Sequence, residues 1–251
     1  LKNIESFIPA RNEFVNLIFL AARYNMSGGY IKRLHSFFEH VLNYYCPLQK
    51  ANAYNSDDFD NYKFIVHELY LYSIAALLKN ELFEDCLGLF EGYYVSGRLA
   101  RHDEPLTAYT AIREHVTILQ WRNDSKKLGR LSLHSDLLNE RCHSLPINCV
   151  DLHQADFLCY LRSTIIYQDS YSFWWPVTLL YAKGYFPFEI FAKAVSKNYF
   201  SRIKSLLGVQ TPEELKVHVK KLEESDRIPR WQFERISPLR MSNGDTIATI
   251  P

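Results

Sequence analysis

Between Asp60 and Val95 the apolar residues fall at helical spacing on both sides of one short polar break. In the first half Phe64, Ile65, Leu69, Tyr72, Ile74, Ala75 and Leu78 recur at i, i+3, i+4 and i+7 and cover more than one face, too broad for a surface helix. That half is expected to be buried on most sides. After Lys79, Asn80 and Glu81 the rhythm resumes in Leu82, Phe83, Cys86, Leu89, Phe90 and Tyr93, and so short a link favours an antiparallel neighbour. Residues 60–95 therefore predict an αα-hairpin, a scaffold element with no reaction centre of its own.

The same periodicity predicts helices over most of the chain. Phe14, Val15, Leu17, Ile18, Leu20 and Ala21 mark a helix that follows a turn at Pro9 and ends at Met26-Ser27-Gly28-Gly29. The next runs from about Tyr30 to Tyr45 and stops before Pro47, and Ser56-Asp57-Asp58 supplies an N-cap and an acidic first turn for the hairpin. Leu106, Ala108, Ile112, Val116 and Leu119 predict a helix over 105–121. His134-Ser135-Asp136 caps a short helix ending near Pro146, and Leu152, Ala155, Phe157, Leu158, Leu161, Ile165 and Ile166 place another over 151–167. Thr211-Pro212-Glu213-Glu214 combines a capping threonine, proline at the first helical position and glutamate at the third, so a helix starts there.

Leu179–Phe191 has the outline of Leu77–Phe90, which suggests a second, degenerate hairpin. After Asp226 the chain turns arginine-rich and irregular, with a turn at Ser242-Asn243-Gly244-Asp245 before a short extended end. The architecture expected is all-α, a multi-helix array of packed antiparallel helical hairpins with an irregular C-terminal tail. The charged turn 123–129 either separates helical subdomains 1–122 and 130–251 or joins them as one continuous domain.

Composition narrows the class. A chain of 251 residues that is 47% hydrophobic and 15% aromatic can build one large core or two modest ones and is too apolar for disorder. With 29 basic against 28 acidic side chains, no global charge draws nucleic acid or an acidic membrane. Residues 1–97 hold 8 basic and 11 acidic side chains, whereas residues 192–240 hold 11 and 6, so any polyanion would meet the C-terminal end. Nucleic acid is the disfavoured partner. Five cysteines, an odd count with no signal-peptide pattern, favour a reducing compartment, the cytoplasm, over a disulfide framework. The longest near-continuous apolar run, Phe14–Ala22, falls far short of the roughly 18 residues of a membrane span. The first residue is Leu rather than Met, and the chain is expected to be a piece of a longer protein.

Four constellations could carry chemistry. Arg33 and His40, with six residues between them on one helix, are similar to the Arg–His motif of HEPN ribonucleases, small helical domains that cleave RNA as dimers. That resemblance implies metal-independent cleavage, with His40 as general acid or base and Arg33 neutralising phosphate charge. Arginine and histidine are frequent enough here for one such spacing to arise by chance. Cys142, His143, Cys149, His153 and Cys159 cluster within 18 residues, and Cys142, Cys149, His153 and Cys159 form a conceivable zinc set. Their spacing lacks the paired Cys-x-x-Cys pattern, and Cys159 sits among Phe157, Leu158 and Leu161 as a small core residue would. His67-Glu68 fails the zinc-protease pattern because position 71 is Leu.

Last, Trp174, Trp175, Tyr181 and Tyr185 belong to an aromatic run that could line a nucleotide-like ligand site, with a packed core as the plainer reading. The acidic trio Asp57, Asp58 and Asp60 reads as helix capping rather than a calcium loop. No glycine-rich phosphate loop, Gly-x-Ser-x-Gly elbow or dinucleotide fingerprint occurs, and no cofactor is expected.

His67-Glu68-Leu69-Tyr70-Leu71-Tyr72, Phe83-Glu84-Asp85-Cys86, His134-Ser135-Asp136-Leu137-Leu138 and Ala155-Asp156-Phe157-Leu158 resemble helical accessory regions attached to effector domains in bacterial defence proteins, such as TIR-like or Sir2-like effectors. The resemblance covers helices and carries over no catalytic residue. It implies a sensing, oligomerisation or partner-docking role. The expected function is a non-catalytic regulatory or interaction domain of a larger cytoplasmic protein. Its partner would be another protein or a covalently attached effector domain, with a homo-oligomer as a further form, and the alternative is a HEPN-like ribonuclease.

Overall fold

A computed structural model describes residues 2–24, 29–47, 53–95, 106–143, 145–168, 173–182, 186–231 and 234–251. They form an all-α fold that divides into two units, Leu1–Asn148 and Cys149–Pro251. The second unit opens with its longest helix, and the charged turn 123–129 lies inside the first.

In the first unit the broad apolar pattern of 60–79 becomes α4 (Asp60–Lys79), buried at every residue from Lys63 to Leu78. A helix apolar all round needs partners on all sides. Here α1 (Lys2–Ser6), α2 (Ile8–Arg23), α3 (Tyr30–Leu42) and α5 (Phe83–Glu91) pack against α4. The expected hairpin is α4 and α5. Asn80 folds its amide onto the Ala76 carbonyl at 2.8 Å, and Glu81 reverses the chain at φ 54°. The Tyr70 hydroxyl then donates to the Leu89 carbonyl at 3.2 Å across the antiparallel pair.

The hairpin ends sooner than 95. Gly92 is extended, and Tyr94–Val95 (β1) pairs antiparallel with Leu106–Thr107 (β2). A side chain at position 92 would overlap the His35 imidazole, so the close approach requires glycine there.

Four local expectations are corrected. Pro9 lies within the first turn of α2, where its missing N–H costs nothing, instead of in a preceding turn. The cap before the hairpin is Asn55, whose side chain accepts from the Asp57 N–H at 3.2 Å, and Ser56–Phe59 is a 3-10 turn. The helix expected over 105–121 is instead β2, a 3-10 turn Tyr109–Ile112, and α6 (Thr117–Ser125). Ile112, Val116 and Leu119 of the expected stripe are buried, but Leu106 is exposed and Ala108 half-buried, and the β-branched Thr107, Thr110, Ile112 and Val116 resist a helical backbone. α7 (Leu133–Arg141) follows and packs on α6, capped by Ser132 one turn earlier than the residues expected to cap it.

The second unit repeats the plan around α8 (Cys149–Ile166), buried from Leu152 through Ile165. α10 (Lys197–Leu207) packs on it, and Arg162 donates to the Ser205 and Leu206 carbonyls at 2.8 Å each. Those are carbonyls that a helix C-terminus leaves without partners. Among the described residues the second hairpin expected over 179–191 is not formed. Thr178–Tyr181 forms a single 3-10 turn, followed by the short α9 (Glu189–Lys193) beyond a cis Phe186-Pro187 peptide. Prolines at 176 and 187 leave too short a stretch between them for two packed helices.

Helix α11 (Pro212–Glu224) starts as its sequence predicts. Thr211 Oγ1 accepts from the Glu214 N–H at 3.2 Å, and the Glu214 carboxylate reaches back to the Gln210 N–H at 2.7 Å. The tail forms a hairpin of Arg230–Trp231 (β3) and Glu234–Arg235 (β4), then α12 (Pro238–Met241) against α11. It returns to donate from Ile250 to the Val195 carbonyl at 3.0 Å. Among the described residues no helix is long and apolar enough to cross a membrane.

Candidate functional site

Burying α4 on all sides also buries its polar residues, and three arrangements result. Asp60 accepts from Lys63 Nζ at 2.7 Å and from the Ile118 N–H at 2.8 Å, which fixes the start of α6. His67 Nδ1 lies 3.0 Å from His134 Nε2 on α7. Glu68 receives Arg141 in a bidentate grip at 2.9 and 2.8 Å and Arg11 of α2 at 3.4 Å. Arg11 also donates to the Tyr72 hydroxyl and to the Arg141 carbonyl, each at 3.0 Å. The guanidiniums stack on Tyr72 and Phe64.

Burial alone raises the Glu68 carboxyl above its ordinary range, against the opposing pull of Arg141 and Arg11. The fork-on-carboxylate geometry is that of the ionised pair. Glu68 has no exposed surface, and Arg11 and Arg141 are buried with it. The cluster ties α2, α4 and α7 together. Its carboxylate is sealed from solvent, and only the arginines keep a few per cent of exposed surface.

The sequence-predicted pair sits differently. Arg33 and His40 are both exposed on α3, two turns apart on one face, with Leu34, Phe38 and Leu42 turned inward. Phe37 lies between them and packs on Phe14 of α2 at 5.3 Å.

Helix α2 carries a feature that its sequence periodicity did not separate. Arg11, Val15, Ile18 and Ala22 face the core. At 100° per residue, Leu17, Leu20 and Tyr24 lie diametrically opposite. They are 64%, 49% and 72% exposed. The helix is therefore apolar on two opposite faces, and one of them is bare.

In the second unit Asp156 is the buried hub. Its carboxylate accepts from Trp174 Nε1 at 2.6 Å, the Thr178 N–H at 2.7 Å and the Thr178 hydroxyl at 2.9 Å. Ser163 accepts from the Trp174 N–H at 2.9 Å, so α8 pins the aromatic segment at two points. Trp174 is fully buried, whereas Trp175 and Tyr181 are half-buried and Tyr185 lies outside the described residues. Trp175 packs edge-on against Trp231 at 6.2 Å.

Trp231, Leu179, Leu180, Phe186 and Met241 line a cavity of about 100 Å³ with Arg235 and Arg240 at its rim. That is roughly three water volumes and well below the ~300 Å³ at which drug-sized ligand pockets begin. Arg235 is held by Glu223 at 3.2 Å.

Of the cysteine–histidine cluster, Cys142, His143 and Cys149 offer ligand atoms within 4.8 Å of one another. His153 and Cys159, both buried on α8, project to different faces of the helix. Cys142 caps α7, and Cys149 opens α8. Cys142 and Cys149 are disulfide-bonded, whereas Cys46, Cys86 and Cys159 are free thiols.

Four buried or half-buried histidines set an acid limit on the fold. Burial lowers His67 and His134 well below 6.5, with further lowering from Arg113. Burial lowers His153 to about 4, and burial with Arg227 and Lys221 does the same to His218. A histidine lowered on folding takes up protons in the unfolded chain first, so its contribution is intact above 6.5 and lost as pH falls toward 4. The raised Glu68 carboxyl has the opposite sign, its contribution being largest at low pH, which makes the second unit the cleaner test. In urea titrations followed by tryptophan fluorescence, stability should hold above pH 7 and drop between 6.5 and 4. His153→Leu should remove about 3 kcal/mol of that drop. A pH-independent midpoint over this range would refute the assignment.

No protein-family model matches the chain, and neither a curated protein nor a solved structure matches it.

Proposed function

We propose that this chain is a non-catalytic helical interaction domain with a regulatory or sensing role, of the kind joined to TIR-like or Sir2-like effector domains in bacterial defence proteins. The observation that carries the reading is the second apolar face of α2. Helices apolar on opposite faces are sandwiched between two layers, and the inner layer here is α4. The outer face displays Leu17, Leu20 and Tyr24 along two turns, the arrangement by which a helix docks a partner. The interior supports the same reading. Glu68, Arg11, Arg141, Asp156 and Arg162 are all spent on holding helices together. The partner on this reading is a protein surface or an attached effector domain in the cytoplasm.

A ribonuclease reading keeps one observation in its favour, the exposure of Arg33 and His40 on one face of α3. Incubating the intact chain with single-stranded RNA decides between them. The expected result is no cleavage by the wild-type chain or by His40→Ala. Cleavage that His40→Ala abolishes would overturn the interaction reading in favour of general acid–base catalysis at His40.

A further inference from the structure

We infer that the outer face of α2 is a self-docking surface, on which a second copy of this chain packs antiparallel about a two-fold axis. The inference rests on the interaction reading and names its partner. Glu13, Leu17, Leu20 and Tyr24 are spaced by four, three and four residues, an order unchanged when read backwards. At 100° per residue the four side chains keep within a stripe about 60° wide, opposite the core-facing residues. A two-fold axis through the midpoint, between Ile18 and Phe19, therefore sets Leu17 of one copy against Leu20 of the other. A stripe whose pattern matches its own reverse complements itself without further design.

Charge selects the direction. Glu13 lies about 8 Å before the midpoint and Arg23 about 7 Å after it, by the helical rise. Antiparallel packing brings the Glu13 carboxylate of each copy level with the Arg23 guanidinium and Tyr24 ring of the other. Parallel packing would set Glu13 on Glu13 and Arg23 on Arg23. Both are exposed, and neither has an ion-pair partner among the described residues. Asn16, the remaining exposed side chain along these turns, is neutral and opposes neither arrangement. Three apolar side chains and their flanks cover less than the ~1,200 Å² of a stable interface, so the pair is weak and forms in the micromolar range.

Sedimentation velocity on the full chain, over concentrations bracketing that range, tests the inference. The wild-type chain should move from a 29.5 kDa species toward twice that mass. Leu17→Asp should remain monomeric throughout, with its circular dichroism unchanged because the site is exposed. Glu13→Arg should weaken association about tenfold by setting like charges level. Glu13→Arg combined with Arg23→Glu should restore it to near the wild-type value, because the swap rebuilds both pairs. A wild-type chain that stays monomeric, or a charge swap that fails to restore association, overturns the second copy as occupant. Either result leaves the interaction reading standing, since only RNA cleavage dependent on His40 removes that.

Discussion

Glu68→Ala should cost the first unit about 3–5 kcal/mol, the price of leaving buried charge without its partner. The alanine strands two guanidiniums, Arg11 and Arg141, that have no water to turn to. A domain is held by about 5–15 kcal/mol in all, so most of the unit's margin is at stake. Urea titration followed by far-ultraviolet circular dichroism reads the loss. Replacing all three charges together, as Arg11→Met, Glu68→Leu and Arg141→Leu, should recover much of it. Apolar residues of similar volume avoid the desolvation that the ion pairs only offset. A loss under about 1 kcal/mol for Glu68→Ala would mean that water reaches the cluster.

The counterpart in the second unit is Asp156→Ala, expected to cost about 3–5 kcal/mol. The change leaves Trp174 Nε1 and both the N–H and hydroxyl of Thr178 without their acceptor. Each orphaned buried donor costs about 1–3 kcal/mol. Asp156→Asn should fall between wild type and alanine, since one oxygen still accepts while its amide faces a donor. Trp174, Trp175 and Trp231 all belong to this unit, so a lower urea midpoint with red-shifted emission at an earlier point is the signature. An unchanged midpoint would show that the aromatic segment is held by packing alone.

The residues that make these two hubs illustrate what sequence pattern conveys. The breadth of the apolar pattern in 60–79 and 151–167 announced both central helices, because a stripe wider than one face can be satisfied only by burial. The same breadth should have drawn attention to Glu68 and Asp156 as polar residues committed to the interior. Their partners were illegible: Arg11 and Arg141 lie 57 and 73 residues away from Glu68, and no local spacing encodes such distances. Thr211-Pro212-Glu213-Glu214 was read correctly because a cap is settled within one turn. Over 105–121 the apolar spacing marked the buried Ile112, Val116 and Leu119 but not Leu106, which is exposed, and the backbone was wrong, since burial of Ile112 and Val116 is compatible with a 3-10 turn and an extended connection.

The outer face of α2 was present in the sequence as Leu17, Leu20 and Tyr24, but periodicity could not say which of two apolar faces met the core. His67, Glu68, His134 and Asp156, polar residues within otherwise apolar helical stretches, are buried.

The grip of Arg141 on Glu68 has a consequence for how the first unit comes into being. Arg141 also donates to the Ile4 carbonyl at 3.3 Å, so its single guanidinium joins the unit's opening helix to the Glu68 carboxylate of α4. During synthesis Glu68 emerges with Arg11 already made but long before Arg141, its bidentate partner. The Glu68 cluster is therefore completed by contacts that span nearly the whole unit. A nascent or cleaved chain ending before α7 would hold a charged, unburied α4 and so expose the apolar helix that the finished unit conceals.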